Sequence, residues 1–176
     1  SGASTGRLVN GRRVYRQTSI NSNITIEDIN AANPITDIKV WMPNPSDPQN
    51  QTLEGQLFHP TAVSRISTGP WGWVRCMDWN VTNASPQQDW SDRRLPSYVF
   101  QTGVLNPRIP ATGFAGNRGT GVAFEHMVAF CNAVNKDMWI TVPHLATTDF
   151  VTKLAQLIAF GSDGVNPYTS PQASPV

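Results

Sequence analysis

At 176 residues the chain is long enough for one domain with a sizeable core, but short of the roughly 250 residues typical of a complete (β/α)8 barrel. Its formal charge is +1 and charged residues make up 14% of it, against a usual value of about 25%, which excludes an electrostatic footprint for nucleic acid or acidic lipid. No apolar stretch is long enough to span a bilayer and no signal peptide is read, so a soluble chain whose leader has been removed is expected.

Residues 1–6 are small and polar and read as a tail. Over 7–16, Asn10-Gly11 separates Leu8-Val9 from Val14-Tyr15; both turn residues tolerate the positive φ of a type I′ turn, which predicts a hairpin. Residues 23–29 and 35–42 alternate apolar and polar positions around Ala32-Asn33-Pro34 and predict two further strands joined by a turn. The period is lost over 43–70 except for a helical turn predicted around 61–66. A strand is predicted over 71–79, with Val74 and Cys76 pointing one way and Arg75, Met77 and Trp79 the other. Polar residues fill 80–92, and 95–117 has no period, which predicts a long βα loop of the kind that is either functional or disordered. Over 121–135 Phe124, Met127, Val128, Cys131 and Val134 recur at helical spacing. The short run 138–142 ends at Pro143 and predicts a buried strand that stops at His144. A second helix is predicted from an N-cap at Thr148, with Asp149 in its first turn, Phe150, Leu154, Leu157 and Ile158 on its apolar face and Gly161 at its end. The proline-bearing residues 162–176 read as a further loop.

His144 is the first functional candidate, because the ends of parallel strands are where open α/β sheets and barrels build their sites; the competing reading is a cap or a loop hydrogen bond. Cys76 and Cys131 are either one disulfide or two buried thiols, and their number leaves both open. Asn23, Asn50, Asn80 and Asn83 each begin a glycosylation sequon. His59, His126 and His144 lack metal-ligand spacing, and the glycines of 116–121 follow no strand that could support a phosphate loop, so neither a metal nor a cofactor is expected. A Cys131–His144 nucleophilic pair is excluded by the place of Cys131 on an apolar helix face. Six tryptophans amid many Pro, Gly, Asn, Ser and Thr residues suit a protein that stacks sugars on aromatic faces.

The segments Arg75-Cys76-Met77-Asp78-Trp79 and Trp139-Ile140-Thr141-Val142-Pro143-His144 flank a helix that begins Gly121-Val122-Ala123-Phe124-Glu125. With Gly55-Gln56-Leu57-Phe58-His59-Pro60, Asn83-Ala84-Ser85-Pro86, Trp90-Ser91-Asp92-Arg93 and Thr148-Asp149-Phe150-Val151, they resemble a family of secreted cellulase-like proteins over most of the chain. The resemblance implies an α/β fold, part of a (β/α)8 TIM barrel preceded by the last antiparallel strands of a β-sandwich. On that basis 1–43 ends the sandwich, 44–70 is a connection, and 71–176 holds barrel strands two and three with their helices.

The resemblance further implies that Arg75 and His144 end those strands near the sugar, with Asp78, Trp79 and Trp90 lining the same face. The family's catalytic glutamates lie on later strands, so no catalytic residue is assignable in this segment; a retaining site would need two carboxylates about 5 Å apart. Glu125, in the first turns of a helix, reads instead as a structural partner of backbone N–H groups. The function expected is that of a fragment of a secreted glycoside hydrolase-like protein, acting on or binding a β-linked polysaccharide. The alternative is a non-catalytic extracellular module of the same fold in a wall, coat or filament. Two parallel strands leave both sheet edges unpaired, so further segments of the same protein, or a companion chain, are expected as partners alongside polysaccharide.

Overall fold

A computed structural model of the protein describes residues 7–9, 12–14, 30–34, 36, 39–48, 51–77, 79–82, 85–98, 101–105 and 119–173. The chain divides into two compact units, Ser1–Trp41 and Met42–Val176.

In the first unit β1 (Arg7–Val9) and β2 (Arg12–Val14) form an antiparallel ribbon with Leu8 opposite Arg13. The Asn10-Gly11 turn between them lies outside the described residues, as does the strand predicted over 23–29. Residues 31–33 make a turn in which the Asn30 Oδ1 accepts a hydrogen bond from the Ala32 N–H at 2.9 Å, the local bond that makes Asn a turn residue. Residues 39–41 form no ladder despite their alternation.

The second unit opens with α1 (Pro60–Thr68), longer than the single turn its polar sequence predicts. Two local devices start it: the His59 Nδ1 accepts from the Thr61 N–H at 3.2 Å, and Pro60 supplies a helical φ where no N–H is needed. β3 (Trp73–Arg75) then runs parallel to β6 (Asp137–Trp139), with Trp73 opposite Asp137 and Arg75 opposite Trp139. The connection between them contains an antiparallel pair, β4 (Thr102–Leu105) and β5 (Gly119–Gly121), and then α2 (Phe124–Val134). β4 lies in the stretch that carries no readable period. α2 ends at Asn135, whose left-handed φ of 52° is one Asn tolerates. α3 (Thr148–Phe160) is capped by Thr147, one residue earlier than predicted, whose Oγ1 accepts from the Phe150 N–H at 3.3 Å.

The apolar faces of α2 and α3 meet the inner face of the β3–β6 ribbon. Phe124, Met127 and Cys131 pack with Phe150, Leu154 and Leu157, closed by Cys76 and Trp90 and flanked by Val74 and Met138. Phe150 receives the rings of Trp90 and Phe124 edge-on at centroid distances of 5.4 and 5.9 Å. Each such side chain contributes about 1.5–3 kcal/mol by leaving water.

The barrel and sandwich expectation is corrected by this architecture. Among the described residues there are three α-helices and one parallel sheet of two strands, each three residues long, and the first unit shows a two-stranded ribbon where the end of a β-sandwich was expected. The parallel pairing of the two predicted strands is present, but among the described residues neither edge of that pair carries a third strand and no barrel wall is formed.

Candidate functional site

β3 and β6 each show the same alternation: the middle residue, Val74 or Met138, is half-buried against α2 and α3, and its neighbours are exposed. Alternation and parallel register therefore put Trp73, Arg75, Asp137 and Trp139 on one outer face. Trp73 and Trp139 are 51% and 49% exposed, with ring centroids 5.1 Å apart and planes inclined by 56°. The Arg75 guanidinium stands 4.6 Å from the Trp139 ring centroid, a cation–π geometry. Met77, also exposed, follows Arg75. Parallel sheets are ordinarily covered on both faces, so a face that no described element covers, with two half-open indoles, departs from the packing rule. Such departures mark binding surfaces.

Of the residues singled out by sequence, Arg75 lies on this face. Asp78 lies outside the described residues. Trp79 does not join Arg75: the chain turns after β3, and its half-buried ring packs against Phe130 at 5.4 Å. Trp90 is 6% exposed, one ring face under the Arg93 guanidinium at 4.2 Å and an edge on Phe150, with its Nε1–H donated to the Val165 carbonyl at 3.2 Å. Such a ring offers no open face for stacking. His144 is exposed in the turn after β6. Sequence reasoning passed over Trp73 and Trp139, although a Trp-x-Arg alternation beside a second strand carrying Trp was the available signal.

Asn23, Asn50 and Asn83 lie outside the described residues. Asn80 is 1% exposed, and its side-chain amide donates to the Thr141 carbonyl, tying the turn after β3 to the segment after β6. The Gln87 amide donates to the Asn80 carbonyl at 3.4 Å and to the Ser85 hydroxyl at 3.2 Å in the same buried pocket of polar groups. These residues join strand ends to the following loop and point inward.

Arg93 is a second residue that sequence reasoning missed. Its guanidinium is fully buried and meets Glu125 through both nitrogens, Nη2 at 3.0 Å from Oε1 and Nη1 at 3.2 Å from Oε2. It also donates to the carbonyls of Val165 at 2.6 Å and Arg94 at 3.1 Å. Burial depresses the Arg93 pKa, and Glu125 opposes that depression. Glu125 thus holds a buried cation and accepts from the Ser162 hydroxyl at 3.0 Å, rather than serving backbone N–H groups. A shallow concavity of about 480 Å³ along the outer face of α3 is lined by residues such as Val151, Ala155 and Phe160 and by no ionisable group.

Cys76 and Cys131 are both buried and unbridged, and their thiols share a hydrogen bond. Burial, reinforced by Cys131, pushes the Cys76 thiol from about 9 up to about 12. Both thiols are expected to resist iodoacetamide at neutral pH in the native protein and to react once denatured. The linkage has a definite sign. Between about 9 and about 12 the unfolded chain has released the Cys76 proton while the folded chain keeps it, so stability conferred below that window is lost as pH rises through it. Rapid native alkylation, or a flat alkaline stability profile, would contradict this.

No protein family, curated protein or solved structure matches this chain. Among the described residues no cluster of three or more His, Cys, Asp or Glu side chains could hold a metal, and no helix is long and apolar enough to cross a membrane. The outer face of β3 and β6 therefore stands as the candidate site on its own geometry.

Proposed function

We propose that the protein binds a β-linked polysaccharide outside the cell through the outer face of β3 and β6. The observation that carries this reading is the half-exposed Trp73–Trp139 pair beside Arg75. Flat aromatic faces with a few polar groups at their margin suit pyranose rings, which are apolar on their C–H faces and polar at their edges. The resemblance to secreted cellulase-like proteins points the same way.

Binding without hydrolysis is the form favoured here, because four of the described carboxylates have structural duties. Glu125 pairs with Arg93, Asp92 accepts from the backbone N–H groups of Gln88 and Asp89, Asp149 pairs with Lys153 at 2.8 Å, and Asp163 accepts from the N–H groups of Val165 and Asn166. A non-catalytic wall, coat or filament module fits this arrangement, and catalysis is assigned to none of these residues.

The test is affinity electrophoresis in gels containing soluble β-glucans, β-mannans or their uronate counterparts. Trp73→Ala and Trp139→Ala should each weaken retardation about tenfold and together abolish it, with at most about 1 kcal/mol lost from stability. Val151→Ser, on the outer face of α3, should bind as the parent does. Retardation that survives the double substitution, or a parent protein that no β-linked polysaccharide retards, would sink the proposal.

A further inference from the structure

The chemistry of the margin around the two indoles narrows the ligand. Arg93 spends its guanidinium on Glu125 and two carbonyls, and Arg94 donates to the Gly121 carbonyl at 3.2 Å. Arg75 is different: among the described residues its partner is the Trp139 ring, and no described carboxylate pairs with it. A guanidinium fixed over an aromatic face keeps its N–H groups in the ring plane's margin, where they can bind a planar anion bidentately. Asp137, on the same face, lies in the Trp73 row, about 7 Å along the ribbon from the Arg75–Trp139 row. Each row of the face thus holds one indole and one charge, Asp137 beside Trp73 and Arg75 beside Trp139.

We infer that the polysaccharide bound on this face carries uronate residues, with a sugar carboxylate seated on Arg75 while neighbouring rings stack on Trp139 and Trp73. Asp137 is placed to accept sugar hydroxyl groups one row away. This rests on the polysaccharide-binding reading and adds the charge of the ligand. A neutral glucan would leave the Arg75 donors to water, whereas a uronate converts them into charge-assisted hydrogen bonds.

The experiment compares two oligosaccharides of the same linkage and ring stereochemistry, a β-linked mannuronate hexamer and mannohexaose, by calorimetric titration of the whole protein. The mannuronate should bind about tenfold more tightly at low ionic strength, and the preference should shrink as salt is raised. Arg75→Gln should remove the preference, and Arg75→Lys should keep only part of it because an ammonium cannot form the bidentate pair. Equal affinities, or a preference indifferent to both salt and Arg75→Gln, would overturn the uronate inference while leaving polysaccharide binding standing. Failure of both hexamers and of every polysaccharide in the gels would overturn the two together. The salt series on the parent protein decides the matter even where a variant folds poorly.

Discussion

Replacing Glu125 by leucine should cost about 3–5 kcal/mol of stability, read as a shift in the urea midpoint, because it strands a buried charge. The Arg93 side chain is 0% exposed, and Glu125 is its one carboxylate contact among the described ion pairs. Two carbonyls and the Trp90 ring would remain around the cation, but carbonyl dipoles do not neutralise it. Burial already depresses the Arg93 pKa, and deleting the carboxylate removes the largest opposing influence. The paired substitution Arg93→Met with Glu125→Leu should recover most of the loss, since removing both charges together avoids an uncompensated ion. A double variant no more stable than Glu125→Leu would place the cost in packing instead. A Glu125→Leu protein within about 1 kcal/mol of the parent would deny the pair its role.

Gly121→Ala is the second substitution with a large expected effect. Gly121 has a φ of 69°, and a Cβ there would overlap the Trp79 carbonyl and the backbone of Asn80. That approach is close because the Val122 N–H donates to the Trp79 carbonyl at 2.6 Å, fastening β5 to the turn after β3. Strained dihedrals and overpacking each cost about 1–3 kcal/mol, and neither neighbour is a side chain that can swing aside. Gly55→Ala supplies the control. Gly55 has a φ of 80° with nothing within 4 Å of a built Cβ, so it carries the dihedral cost alone. Thermal denaturation should therefore show a clearly larger loss for Gly121→Ala, and equal losses would mean that the close approach relaxes freely.

The elements written in local periodicity were legible before the structure. α2 and α3 follow from apolar residues at helical spacing, and the strands around Val74 and Met138 from short β-branched and aromatic runs. α1 was under-read because His59 and Pro60 start it by capping, not by an apolar stripe; none of its residues is buried. β4 was missed because its pairing with β5 depends on a partner far along the chain. The barrel failed for a related reason. Local pattern specifies a strand, but whether a third strand joins each edge is settled by distant pairing that no local signal encodes. The expected site was legible at Arg75, where alternation holds, and not at Trp79 or Trp90. Extending the strand to Trp79 ignored the turn that carries this ring to Phe130, and nothing local marks Trp90 as the lid of the core.

The burial of Asn80 bears on how the protein can be made. Its amide nitrogen, the atom an oligosaccharyltransferase would modify at Asn80-Val81-Thr82, is the donor that links the turn after β3 to the segment after β6. A glycan added there during synthesis would remove that donor and wedge a hydrated chain into the junction before it closes. A production host that lacks this transferase escapes the conflict. In one that has it, and that exports the chain, a glycan on Asn80 would compete with folding at a single nitrogen.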